Sequence, residues 1–183
     1  MSGFCRLKIR GKRGTKISLS YGELLKSDGR LEQGNVNVYY HPVKPDEKFQ
    51  TDTYILKGEG VEVFQPSFTY HGFQYVEVEA SEKVDLDKSS LTALFLHTDL
   101  QPVGKFECSS PLLNKIWDAT MQTYLSNIHS IPTDCPQREK NGWTADAHIA
   151  IDLALLGFDG ITFYEKWMND FCDEQKDNGV LPC

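Results

Sequence analysis

Three carboxylates, one arginine and one tryptophan crowd into a single stretch, Ser130-Ile131-Pro132-Thr133-Asp134-Cys135-Pro136-Gln137-Arg138-Glu139-Lys140-Asn141-Gly142-Trp143-Thr144-Ala145-Asp146. Cleavage of a glycosidic bond uses one carboxyl that gives a proton to the leaving oxygen. It also uses fixed carboxylates that hold sugar hydroxyls, and commonly an aromatic platform for the apolar face of the ring. Asp134, Glu139, Asp146 and Trp143 are those group types. Pro132 and Pro136 stiffen the chain and forbid a continuous helix, so the polar groups sit on a constrained loop. Loops held by a rigid scaffold are where catalytic groups concentrate. A plainer reading stands beside this one: clustered charges in a loop form a solvated surface, Asp146 serves only as a helix-dipole partner, and Arg138 pairs with Asp134.

Composition narrows the alternatives. The 183 residues carry a formal net charge of -7 and a sequence pI of about 5.2. An acidic chain with scattered Lys and Arg lacks the basic face that phosphate neutralisation requires, so nucleic acid is not an expected partner. No apolar run approaches the roughly 20 residues that span a bilayer, so no membrane is expected either. Met1-Ser2-Gly3-Phe4-Cys5-Arg6 has no basic segment followed by an apolar one, so no signal peptide is legible, and both a cytoplasmic and a periplasmic location stay open. Cys5, Cys108, Cys135, Cys172 and Cys183 are dispersed and form no CxxC pair, and no His lies at a zinc-like spacing from them. They read as reduced thiols in ordinary packing, and neither a metal site nor a cofactor is expected.

The elements that must carry the loop fall into two halves of different period. Phe4 to Arg10 alternates Leu7 and Ile9 with Arg6, Lys8 and Arg10, and Ile17 to Tyr21 alternates again after Gly11-Lys12-Arg13-Gly14, which predicts a hairpin. Ser27 to Glu47, with Gly29, Gly34, Pro42 and Pro45, reads as a long loop with one short strand at Val36 to Tyr40. Strand patterns return at Thr53 to Leu56, Val61 to Phe64, Phe73 to Glu79 and Leu91 to His97. The spacing predicts an antiparallel sandwich.

Near residue 105 the period changes to that of helices. Ser109 or Ser110 suits an N-cap and Pro111 the first helical position, and Leu113, Ile116, Trp117, Thr120, Tyr124 and Ile128 make one stripe. A second helix is expected from Thr144, as cap, to Leu156, with Gly157 as its stop. Asp146 then falls in the first turn, where the dipole favours negative charge. This helix is apolar nearly all round and is expected to be well buried. A third runs from Ile161 to about Lys176, with Tyr164, Trp167, Met168, Phe171 and Cys172 on one face and Asn178-Gly179 after it. Such wide apolar surface does not close a core by itself, which predicts a chain truncated at both ends.

Asp134-Cys135-Pro136-Gln137-Arg138-Glu139, followed by Gly142-Trp143-Thr144-Ala145-Asp146, resembles the signature of bacterial α-L-rhamnosidases of glycoside hydrolase family seventy-eight. Tyr21-Gly22-Glu23, the run from Pro66 to Tyr75, and Gly104-Lys105-Phe106-Glu107-Cys108-Ser109 are similar to that family in the same order, so the resemblance covers essentially the whole chain. It implies an α+β multidomain protein, an antiparallel β-sandwich (1–104) followed by the first helices of an (α/α)-barrel of six helix pairs (105–183). It implies inverting hydrolysis of terminal α-L-rhamnose from glycosides or polysaccharides. Carried over by position, Glu139 is the general acid, Asp134 and Asp146 hold rhamnose hydroxyls, and Arg138 and Trp143 line the pocket. The family's general base lies several hundred residues further on, which implies that this chain by itself is inactive. Glu139-Lys140-Asn141 is also one residue shorter than the matching segment of many members.

Three other readings remain: a carbohydrate-binding sandwich without catalysis, a hydrolase or lyase of another family on the same barrel, and an interaction fragment that self-associates through exposed helix faces.

Overall fold

The computed structural model describes residues 1–38, 40–41 and 47–181. They form two compact units, one of Met1–Leu96 with Pro136–Arg138, the other of His97–Cys135 with Glu139–Cys183.

The first unit holds β1 (Ser2–Arg10), β2 (Lys16–Gly22), β3 (Leu24–Leu25), β4 (Leu31–Glu32), α1 (Gly34–Asn37), β5 (Thr51–Ile55), β6 (Val61–Phe64), β7 (His71–Gly72), β8 (Tyr75–Ala80) and β9 (Leu91–Phe95). All its pairings are antiparallel: β1 with β6, β7 and β9 in one sheet, β2 with β5 and β8 in another, and β3 with β4 in a short ribbon. The period of two sends Cys5, Leu7 and Ile9 of β1 inward while Arg6, Lys8 and Arg10 face solvent. Ile17, Leu19 and Tyr21 of β2 join them in one core with Leu56 and Phe73. Fully burying one such side chain stabilises by about 1.5–3 kcal/mol. This is the expected antiparallel sandwich.

Three local expectations are corrected. The hairpin of Phe4–Arg10 with Ile17–Tyr21 does not form, because β1 and β2 lie in different sheets. Alternation specifies which face of a strand is buried, and two facing sheets satisfy that demand as well as one shared sheet. The connecting turn is closed by the Gly14 N–H donating to the Leu56 carbonyl at 2.8 Å. The strand expected at Phe73–Glu79 begins only at Tyr75: β7, just before it, pairs with β1 and β8 with β2, so the chain changes sheets between them, with Phe73 in the core. The short strand expected at Val36–Tyr40 is instead the single helical turn α1, in which the Gln33 carbonyl accepts from the Val36 and Asn37 N–H groups at 3.0 and 2.9 Å. Tyr39 of that stretch, with Pro42 and Pro45, lies outside the described residues, as does Cys183.

The second unit holds α2 (Pro111–Leu125), α3 (Thr144–Gly157) and α4 (Ile161–Glu174). Pro111 opens α2 behind Ser110, but the Ser110 hydroxyl makes no capping bond. Asn114 folds back instead, its side chain exchanging two 2.9 Å hydrogen bonds with the Cys108 backbone. Trp143, not Thr144, occupies the N-cap position of α3, and Asp146 still falls in its first turn. The core gathers Tyr124, Ile128, Ala147, Ala154, Phe158, Phe163, Tyr164 and Trp167. The hydroxyls of Tyr124 and Tyr164 meet inside it at 3.2 Å, and burial, then this bond, pushes the Tyr124 phenol well above its usual range.

The burial expected of α3 is not found. Ile149 is 81% exposed and Leu156 68%, because only the side carrying Ala147, Ala154 and Gly157 meets the core. The stripe of α4 is likewise narrower than expected: Phe163, Tyr164 and Trp167 are buried, whereas Met168 and Cys172 are exposed.

Candidate active site

Asp134 ties the signature loop shut. Its N–H donates to the Asn141 carbonyl at 3.0 Å, and its Oδ1 accepts from the Asn141 N–H at 2.9 Å. Its Oδ2 accepts from the Cys135 thiol at 3.0 Å. The Cys135 sulfur in turn accepts from the Glu139 N–H at 3.3 Å. Burial, and then the bond to Asp134, raises the Cys135 thiol above its ordinary range. Cys135 is a free thiol, as expected, and its sulfur braces the backbone of the candidate acid. Upstream, the Asn127 carbonyl accepts from the Thr133 N–H at 2.7 Å and hydroxyl at 3.1 Å, which joins the loop to the end of α2. Lys140 takes a left-handed φ of 55°, so the chain turns sharply between Glu139 and Trp143.

The turn lets the Trp143 indole N–H donate to Glu139 Oε2 at 3.0 Å. Trp143 is 38% exposed, so its ring is available as a platform while its nitrogen orients the carboxyl. Asp134 and Asp146 come together differently. Both line a cavity of about 240 Å³ in the helical unit, walled also by Tyr124, Asn127, Thr133 and Ile149. That is small beside the roughly 300–1,000 Å³ of pockets for drug-sized ligands. Two carboxylates and an amide, a hydroxyl and a phenol around such a space can hold vicinal hydroxyl groups. Arg138 folds with the first unit. Asn127, Tyr124 and Cys135 were missed as site residues. Thr133 and Cys135 stand within the Ser130–Asp146 stretch, but nothing in a linear pattern announces Tyr124, which serves as core and cavity wall at once. Among the described residues, no group of three or more His, Cys, Asp or Glu side chains could hold a metal ion. Nor, among them, is any helix long and apolar enough to cross a membrane.

Residues 1–97 match the bacterial alpha-L-rhamnosidase concanavalin-like domain, and residues 101–183 match the bacterial alpha-L-rhamnosidase 6 hairpin glycosidase domain. The chain belongs to the bacterial alpha-L-rhamnosidase family. An alpha-L-rhamnosidase of Formosa agariphila is 37% identical over 172 residues, which cover 93% of this chain and 17% of that protein. The structure of the alpha-L-rhamnosidase from Dictyoglumus thermophilum superposes with a TM-score of 0.84 at 39% identity, covering 98% of this chain and 20% of the other. That of the Streptomyces avermitilis alpha-L-rhamnosidase complexed with L-rhamnose gives a TM-score of 0.82 at 34% identity, covering 99% and 17%. The chain thus spans about a fifth or less of the length of these rhamnosidases, and its two halves fall on two of their domains, a sandwich and the start of a helical barrel.

Proposed function

We propose that this chain supplies the sugar-holding and proton-donating side of an inverting α-L-rhamnosidase site. The observation that carries the reading is the cavity walled by both Asp134 and Asp146, beside a loop in which Trp143 fixes a Glu139 oxygen. In this reading Asp134 and Asp146 accept hydrogen bonds from rhamnose hydroxyls, and the Trp143 ring covers the sugar's apolar face. Arg138 carries its substrate-binding role on the resemblance alone. Glu139 passes its proton to the glycosidic oxygen as the bond from that oxygen to C1 breaks. Water adds to C1 from the opposite face, and a base takes its proton. Inversion places acid and base about 6.5–9.5 Å apart to admit that water. The base is assigned beyond these 183 residues, so the chain binds terminal rhamnose of a glycoside or polysaccharide and does not turn it over alone.

The test is a titration of the isotopically labelled chain with L-rhamnose, following the Trp143 indole resonance, beside an assay on p-nitrophenyl α-L-rhamnoside. Binding that is lost in Asp134→Ala and Asp146→Ala, without hydrolysis, is the expected result. Hydrolysis by this chain at the rate of its long relatives would remove the missing-base part of the proposal. The absence of any rhamnose response would remove the rest.

A second reading has its own observation. On the first unit Arg30, Gln33, Tyr40, Phe49, Glu77 and Glu79 line a groove of about 470 Å³, with Tyr40 and Phe49 stacked at 4.9 Å. A carbohydrate-binding sandwich would use this groove. Rhamnose binding abolished by Arg30→Ala and untouched by Asp134→Ala would favour it.

A further inference from the structure

The sandwich core contains a polar chain that no role described above requires. The Cys5 N–H donates to the Tyr21 hydroxyl at 3.1 Å, and that hydroxyl donates to Asp52 Oδ2 at 2.8 Å. Asp52 Oδ1 lies 3.0 Å from His71 Nε2, and His71 Nδ1 lies 3.1 Å from Gln50 Oε1. Gln50 Nε2 then donates to the Gly72 carbonyl at 2.9 Å. The Tyr21 and His71 rings stack at 4.1 Å. Every member is buried. A buried polar network is costly unless fully bonded, and fully bonded it is rigid. Gln50 adds an independent observation. It holds a left-handed φ of 49°, a conformation unfavourable for a residue with a side chain. Such strain persists only where the surroundings impose it, and it collects at sites with a task.

The network ends at Gly72, and Gly72 packs against Pro136–Gln137 of the signature string, which folds with the same unit. A Cβ built on Gly72 would stand 2.7 Å from the Gln137 nitrogen and 2.8 Å from both the Gln137 Cβ and the Pro136 carbonyl carbon. Only hydrogen fits there. β1 grips the same strand, Ser2 opposite Gly72 and Gly3 opposite His71. Phe73 exchanges hydrogen bonds with Met1 at 2.9 and 3.0 Å.

We infer that Gly72, held by the strained Gln50 through the Tyr21–Asp52–His71 chain, is a seat for Pro136–Gln137, and that Gln50 and Gly72 are positioning residues for the active-site loop. The loop segment that folds with the first unit is Pro136–Arg138, and Arg138 is bonded covalently to Glu139. A side chain at position 72 therefore moves the backbone from which the candidate acid projects. This inference rests on the assignment of Glu139 as the acid.

The experiment uses this chain and amide and indole ¹H–¹⁵N spectra, with the Trp143 indole resonance assigned through Trp143→Phe. That resonance reports the bond from Trp143 to Glu139. Gly72→Ala is compared with Gly14→Ala, a control in the same sandwich, where φ is 85° and no atom lies within 4 Å of the new Cβ. Both variants lower the melting temperature. Only Gly72→Ala is expected to shift the Gln137, Arg138 and Trp143 indole resonances. Gln50→Gly is the second variant: it accepts the left-handed φ and removes the side chain that holds Gly72, so it is expected to shift the same resonances even if Gly72→Ala does not fold. Unchanged loop resonances in folded Gly72→Ala or in Gln50→Gly overturn the inference, as does an equal shift in Gly14→Ala. A wild-type chain that ignores rhamnose defeats the functional proposal and leaves this result standing.

Discussion

Asp52 and Asp134 are each held by two hydrogen-bond donors, and they illustrate opposite uses of one functional group. Asp52 sits in the sandwich core with both oxygens engaged, by the Tyr21 hydroxyl and by His71. Asp134 also has both oxygens engaged, by Cys135 and by Asn141, yet it lines a cavity of the helical unit. A carboxylate sealed among its partners can only hold structure. One that keeps lone pairs toward an open space can also hold a ligand. The surrounding packing parallels this difference. Leu7, Ile17 and Tyr21 of the sandwich core are 0% exposed, whereas Ile149, which lines the cavity with Asp134, is 81% exposed.

The strongest challenge to that contrast is to delete each carboxylate. Asp52→Ala leaves the Tyr21 hydroxyl and a His71 nitrogen buried without their acceptor, and should cost the first unit about 3 kcal/mol or more in denaturant unfolding. Asp134→Ala should cost about 1 kcal/mol while abolishing rhamnose binding. Equal stability losses would erase the distinction. Next in size is Tyr21→Phe, which removes one hydroxyl from the network at constant ring volume and should cost about 1–3 kcal/mol.

The loop offers a chemical version of the comparison. Because the Asp134 carboxylate disfavours the Cys135 thiolate, Asp134→Asn should speed alkylation of Cys135, read site by site by mass spectrometry, and leave the core thiol Cys5 unreactive. Burial pushes the Cys5 thiol up to about 11, so its labelling requires unfolding.

A smaller effect concerns acid. Hydrogen bonding and attraction from Arg30 hold the Glu77 carboxyl below its usual range. Its folded value lies below its unfolded value, so the contribution is complete above the ordinary carboxylate range and is lost as pH falls through the lowered folded value. Arg30 is largely exposed, so solvent screening keeps the contribution of the pair small. Arg30→Ala should lower stability slightly at pH 7, and the difference should vanish once Glu77 and Glu79 are both protonated in the folded and unfolded states. Smallest of all, Ile149→Ser should change stability by less than about 0.5 kcal/mol. It should weaken any concentration-dependent association measured by sedimentation, which tests the expected self-association through exposed helix faces.

Much of this was legible before any coordinates. Alternation in Phe4–Arg10 and Ile17–Tyr21 marked the inward residues because strand side chains must alternate. Pro111 and Asp146 marked the starts of α2 and α3 because helix ends have unsatisfied N–H groups and a positive dipole end. Pairing partners were not legible. β1 and β2 have the pattern of a hairpin and are divided between two sheets, since one alternating strand bonds equally well to any neighbour of matching register. Nor was the exposure of α3 legible, because hydrophobicity states what a face prefers and not what covers it.

The sequence by itself determined the chemical inventory, the Asp134 to Asp146 string with its acids, arginine and tryptophan, and the family to which that string belongs. Tertiary structure decided which of those groups share a space. It set Asp134 and Asp146 around one cavity, turned Trp143 back onto Glu139, made Cys135 a brace, and placed Gly72 where a methyl group cannot go. Contacts between residues far apart along the chain are set by packing, and packing depends on the positions of many side chains at once, which no local pattern encodes.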